Sequence, residues 1–93
     1  MKAAIIGAGR VSTEHIKAYE AAGVPVTAIC SRTKYGAAKK AEEMGIEVTV
    51  YDDVHEFLTN EDFNVVSICS PPELHCEHVI MCAQAGKHMA IEK

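Results

Sequence analysis

The chain has 93 residues, of which 48% are hydrophobic and 24% charged, with a formal net charge of -4. That length allows one domain with a modest core, and the negative balance argues against nucleic acid or an anionic membrane as the main partner. Aromatic residues make up only 5%, so most of the core has to come from Val, Ile, Ala, Met and Cys.

Ala3–Ile6 reads as a short buried strand. The turn Gly7–Gly9 follows, then a helix over about Val11–Ala22, with Gly23 just past its end. Pro25–Cys30 reads as a second strand, with proline at its first position, where a missing amide proton is tolerated. A helix over about Lys34–Met44 closes at Gly45, and Glu47–Val50 is a third, weaker strand. Asp53 and Glu56 match a capping box and start a short helix ending near Leu58. Asn64–Cys69 is the most clearly buried strand. Pro71 and Pro72 close it and lead into a helix over roughly Glu73–Ala85, after which Gly86 precedes a fifth strand, Lys87–Ile91. Strands alternate with helices throughout, which predicts an α/β fold with a parallel sheet covered on both faces. Right-handed crossovers and the glycine-rich first turn favour a doubly wound sheet of about five strands in the order 3-2-1-4-5.

The glycine turn carries the first chemistry. Gly7-x-Gly9-x-x-Ser12 departs from the full dinucleotide fingerprint only at its third position. Gly7 permits a tight turn out of the strand, and Gly9 lets a pyrophosphate approach the backbone. Ser12 is nearly small enough for close helix–strand packing. Free amides at the start of the helix, around Val11, would face the phosphates, with Arg10 over the same anion. The competing reading is a turn whose glycines serve packing alone.

The second clue is at the end of the second strand. An NAD site usually presents Asp or Glu there, yet no acid occurs between Glu20 and Glu42. Ser31 and Arg32 stand instead, followed by Thr33 and Lys34. A carboxylate would repel a 2′-phosphate, whereas Arg and a hydroxyl can bind one, so NADP is expected over NAD. A solvated basic loop without preference is the alternative. Tyr35 either packs near the adenine or covers the helix start.

Ser70, Pro71 and Pro72 end the fourth strand, facing the glycine turn across the crevice in the proposed order, where a rigid proline pair can wall the nicotinamide ribose. His75 either lines this site or packs its helix. His75 and His78 lack a third ligand of suitable spacing, so no metal site is expected. Glu92 and Lys93 follow the fifth strand on the same side, where an ammonium group can polarise a carbonyl or assist proton transfer. The four cysteines, Cys30, Cys69, Cys76 and Cys82, form no Cys-x-x-Cys pair and read as buried thiols of a cytoplasmic protein. No secretory leader or membrane span is expected.

The whole chain resembles the N-terminal domain of the Gfo/Idh/MocA oxidoreductase family. The resemblance rests on Gly7-Ala8-Gly9-Arg10-Val11 with His15 just after, on Cys69-Ser70-Pro71-Pro72-Glu73-Leu74-His75, and on Ala85-Gly86-Lys87-His88-Met89-Ala90-Ile91-Glu92-Lys93. It implies a Rossmann domain using NAD or NADP to oxidise or reduce sugars, inositols and related polyols. By this resemblance the diphosphate loop is Gly7–Val11, ribose recognition falls to Ser31 and Arg32, and Ser70–Pro72 is the nicotinamide-side loop. Lys93 is the catalytic residue, Glu92 lies near the nicotinamide end, and His15 is mainly structural. The family's substrate domain has no counterpart in these 93 residues, so a cofactor half without its substrate half is expected, with little turnover of its own and an incomplete sheet edge that favours self-association. A non-enzymatic nucleotide-binding or regulatory module, or the inert remnant of a decayed enzyme, is the alternative.

Overall fold

The computed structural model describes residues 1–60 and 62–91, so the expectations for Glu92 and Lys93 lie outside the described residues. The elements run β1 (Ala3–Ile6), α1 (Arg10–Ala21), β2 (Val26–Cys30), α2 (Lys34–Met44), β3 (Thr49–Tyr51), α3 (Val54–Asn60), β4 (Val65–Ile68), α4 (Pro72–Gln84) and β5 (His88–Ile91). All neighbouring strands are parallel, and the sheet order is β3-β2-β1-β4-β5. The doubly wound arrangement expected from the alternation of elements is therefore the one found.

Side-chain alternation along β1 divides the core in two. Ala3 and Ile5 point to one face, where Ile16 of α1 and Ala37 and Ala41 of α2 cover them. Ala4 and Ile6 point to the other, against Phe57 of α3 and Cys82 of α4. This is the period of two that any strand imposes, and both faces are buried because crossover helices lie on each side. The β1–β2 pairing carries one irregularity: Ala3 pairs with Val26 but Ala4 with Ala28. The extra residue, Thr27, explains why Val26 joins the α1/α2 core while Ala28 joins the other.

Several boundaries differ from those read in the sequence, each for a local reason. β2 begins at Val26, and Pro25 contributes only its carbonyl, which accepts from the Ala3 amide at 2.9 Å. β3 is shifted toward its carboxyl end because Tyr51 is buried, meeting the Phe57 ring edge-on at 5.7 Å between centroids. Phe63 packs on Phe57 at 5.0 Å, so three of the five aromatic residues form one cluster under the α3/α4 face. α3 runs to Asn60 rather than Leu58, with the Thr59 hydroxyl donating to the His55 carbonyl at 2.8 Å. α4 starts at Pro72, the position where a missing amide proton costs nothing.

The α1/α2 face also buries polar groups, and they are paired. Ser67 of β4 is fully buried, and its hydroxyl meets Nδ1 of His15 at 2.8 Å and the Tyr19 hydroxyl at 2.7 Å. His15 is thus a tie between α1 and β4, in line with the structural role expected for it. Lys40, 6% exposed, joins α2 to α1 by donating to Thr13 Oγ1 at 2.8 Å, with Glu43 at 3.4 Å. No helix among the described residues is long and apolar enough to cross a membrane.

Candidate functional site

The chain moves outward from β1 in opposite directions, through β2 and β3 on one side and β4 and β5 on the other. Their crossover helices cover opposite faces, so a crevice opens beyond the carboxyl ends of β1 and β4. A cleft of about 730 Å³ occupies that place. The glycine turn with Val11, the segment Ser31–Thr33, and the segment Cys69–Pro72 form its walls, and His75 and His78 line it from α4.

The two glycines of the turn serve different ends. Gly7 has φ +111°, and a Cβ there would lie 2.7 Å from the carbonyl carbon and oxygen of Cys69 and 3.0 Å from the Ser70 nitrogen. It is glycine for backbone conformation and for the close approach of the strand exits. Gly9 is different: its φ of −84° and ψ of −169° suit any residue, and a Cβ would meet nothing within 4 Å. Nothing among the described residues explains its missing side chain. The space in front of it opens into the cleft.

Gly9 also caps α1 without a side chain to satisfy the first amides, and the first turn holds no acid. By contrast, the Thr33 hydroxyl accepts from the Gly36 amide at 3.0 Å, and Asp53 accepts from the Glu56 amide at 3.1 Å. α1 thus presents unsatisfied N–H groups and the positive end of its dipole to the cleft, the arrangement that receives phosphate. Ser12 is fully buried and donates to the Gly9 carbonyl at 2.6 Å, so the third fingerprint position braces the turn itself. Val11 lines the cleft. Arg10 is exposed and its side chain does not contribute to the lining, which leaves its place at the open helix start as its link to the site.

Beyond β2, Arg32 is exposed at the wall and makes no ion pair among the described residues. Ser31 lines the cleft too, but its hydroxyl donates to the Thr33 carbonyl, so its proton is already committed. Tyr35 is 74% exposed and outside the lining, so it belongs to the surface of α2 and not to an adenine pocket. Sequence reasoning missed Asp52. It stands one residue past β3 and brings a carboxylate into a wall that the end of β2 leaves free of acid. The parallel neighbour of β2 ends at the same edge of the sheet, and that was the signal that could have found it.

Across the cleft, Ser70 is 7% exposed and held from α4 at two points. Its carbonyl accepts from Nε2 of His75, and its hydroxyl lies 2.7 Å from Nδ1 of His78. His75 therefore both lines the site and packs its helix. Pro71 and Pro72 are exposed parts of the same wall. His78, considered in the sequence only as a metal ligand, is a buried member of the site. Burial holds its pKa below the usual 6.5; Glu77 opposes the shift and His75 reinforces it. Among the described residues no group of three or more His, Cys, Asp or Glu is placed to hold a metal.

All four cysteines are thiols. Cys30 borders the cleft, with its pKa pushed up to about 12 by burial and by Asp53 and Asp52, and Cys82 is raised to about 11 by burial. Neither is a nucleophile near neutral pH. The expectation that the thiols are buried fails for Cys76, which is exposed near the start of α4, and for Cys69, which is half-buried.

Gly7→Ala is expected to lower stability by roughly 2–5 kcal/mol in urea denaturation, combining positive-φ strain with overpacking against Cys69. His78 generates a pH dependence of stability. Its folded pKa is below that of the unfolded chain, so on acidification the unfolded state takes the proton first. Its contribution is complete above 6.5 and is lost as pH falls from 6.5 toward the folded value, below which the curve flattens. Thermal melts between about pH 8 and about pH 5, a window set around that pKa, are expected to show a slope that His78→Asn reduces.

Over residues 1–93 the sequence matches the family described as "Oxidoreductase family, NAD-binding Rossmann fold". The D-glucoside 3-dehydrogenase of Escherichia coli is 35% identical over 95 residues, covering 100% of this chain and 27% of that protein. The inositol 2-dehydrogenase of Salmonella typhimurium is 30% identical, covering 100% of this chain and 28% of that protein. Levoglucosan dehydrogenase, solved with NADH and levoglucosan, superposes with a TM-score of 0.88 at 31% identity, over 100% of this chain and 27% of that one. The chain thus spans under a third of the length of these relatives. With a match along its whole length, a doubly wound sheet in the expected order and a glycine turn at its crevice, the chain belongs to the Gfo/Idh/MocA oxidoreductase family as its NAD-binding Rossmann fold.

Proposed function

We propose that this chain is the cofactor-binding part of an oxidoreductase that moves hydride between NADP(H) or NAD(H) and a sugar, inositol or related polyol or carbonyl substrate. The observation that carries the reading is Gly9, whose missing side chain has no use among the described residues and leaves room at an uncapped helix start. A diphosphate fits that place, accepting from the first amides of α1. The glucoside and inositol dehydrogenases among the relatives support the substrate class.

A bound nicotinamide supplies the hydride chemistry. The residues of this chain supply position and proton transfer. Ser70, Pro71 and Pro72 form the wall on the nicotinamide side, with His75 behind Ser70. Lys93 follows β5 in the sequence; in its amine form it takes the hydroxyl proton of an alcohol substrate as hydride leaves the adjoining carbon, and returns it in the reverse direction. Glu92, its neighbour in the sequence, is assigned to the nicotinamide end by the family resemblance alone.

Preference for NADP rests on Arg32, a cation at the cleft wall without an ion-pair partner among the described residues, beside a strand end that carries no acid. A second reading, NAD, is favoured by Asp52, whose carboxylate in the same wall opposes a 2′-phosphate.

Paired calorimetric titrations with NADPH and NADH test both levels. Saturable 1:1 binding, tighter for NADPH, is the expected result; binding of neither by a folded chain overturns the proposal. Arg32→Ala is expected to weaken NADPH about tenfold with little change for NADH, the size of a lost charge-assisted contact. Equal losses would sink the Arg32 assignment. Gly9→Ala should keep its stability within about 1 kcal/mol, because its backbone conformation suits alanine, while binding of both cofactors is lost. Undiminished binding by that variant would remove the diphosphate site from the turn.

A further inference from the structure

The buried Ser70–His78 pair is the one hydrogen bond between two side chains of the cleft wall, among the described residues. Ser70 directly adjoins the glycine turn: a Cβ on Gly7 would lie 3.0 Å from its nitrogen. Both residues line the cleft, Ser70 at 7% and His78 at 9% exposure, with 2.7 Å between Oγ and Nδ1. The Ser70 carbonyl is independently held by His75. Two turns of α4 therefore fix both the peptide and the hydroxyl of one residue. A serine needed only for packing requires no second histidine to set its hydroxyl rotor.

We infer that His78 is a positioning residue that holds the Ser70 hydroxyl as an acceptor for a ribose hydroxyl in the nicotinamide half of the dinucleotide. The inference rests on the cofactor reading above. Nδ1 accepts a hydrogen bond from the Ser70 hydroxyl, and the lone pairs of Oγ are then free to receive a donor from the cleft. A ribose hydroxyl can donate, whereas an ionised phosphate offers only acceptors. Burial keeps the His78 ring neutral near pH 7, which leaves Nδ1 able to accept. The diphosphate belongs at the start of α1, so the hydroxyl that meets Ser70 is on the far side of it from Arg32.

The test titrates the 93-residue chain and its Ser70→Ala, His78→Leu, His78→Asn and doubly substituted Ser70→Ala/His78→Leu variants with NADH, ADP-ribose and ADP. ADP-ribose has the second ribose without nicotinamide or substrate, and ADP lacks that ribose. Ser70→Ala and His78→Leu are each expected to weaken NADH and ADP-ribose about fivefold, the size of one hydrogen bond, and to leave ADP unchanged. The double variant should bind no more weakly than Ser70→Ala, because His78 acts through that hydroxyl. His78→Asn, which can still accept from Ser70, should stay within about twofold of the parent. Thermal melts of each variant establish that it is folded. If His78→Leu does not fold, Ser70→Ala and His78→Asn decide alone: Ser70→Ala must lose NADH and ADP-ribose affinity and His78→Asn must keep it.

Equal weakening of ADP indicates a general loosening of the site and overturns the inference. So does a loss for NADH that ADP-ribose does not share, an additive double variant, or a His78→Asn variant as weak as His78→Leu. A parent chain that binds none of the three ligands overturns the cofactor reading itself, and the inference with it. A parent that binds them while every variant matches it overturns the inference alone.

Discussion

The contact between Gly7 and the Cys69–Ser70 peptide is the constraint on which the site depends. The first and fourth strands run side by side, and their exits must separate to opposite faces of the sheet within a few residues. The Cys69 amide still donates to the Ile6 carbonyl at 2.8 Å, and the Gly7 amide donates to the Cys30 carbonyl at 2.7 Å. Gly7 is therefore held by its neighbours on both sides, in a conformation that L side chains avoid. Because that approach is tight, the glycine turn and the Ser70–Pro72 wall face each other across one cleft rather than forming two separate loops.

Around this contact the molecule divides into rigid and open parts. Behind the turn, β1 is fully covered, and Ser12 returns its hydroxyl to the Gly9 carbonyl. In front of it, the first amides of α1 have no side-chain cap, although α2 and α3 are both capped. Those two helix starts are closed by side chains, whereas α1 and α4 have no side-chain cap, and α4 begins with a proline that has no amide proton to satisfy. An uncapped end is stabilised by an anion through hydrogen bonds and through the helix dipole together.

The aromatic residues show how so small a domain holds its far edge. Only five occur, and Tyr51, Phe57 and Phe63 meet in one cluster. Lys87 lies over the Phe63 ring at 4.5 Å and donates to the Phe63 carbonyl at 2.9 Å, tying the approach to β5 into that cluster. The cofactor cleft is lined instead by small, aliphatic and polar residues. Bulk is concentrated under the α3/α4 face and kept out of the cleft lining.

Local chemistry was enough to determine the order of elements, the parallel sheet and the main segments that line the cleft. Alternation of strand and helix, the helix-ending Gly45 and the capping box at Asp53 are signals between near neighbours, and a parallel sheet needs only that pattern. The glycine fingerprint was legible for the same reason, because its spacing is set by one turn. Residues brought together from distant parts of the chain could not be read that way. Asp52 joins Arg32 only because β3 lies beside β2, and His78 reaches Ser70 only because α4 folds back over its own strand. Whether Ser31 can offer its proton, whether Tyr35 lines the cleft, and which glycine is required by packing and which is not were settled by three-dimensional proximity. Those distances are set by packing between elements, which sequence spacing does not encode.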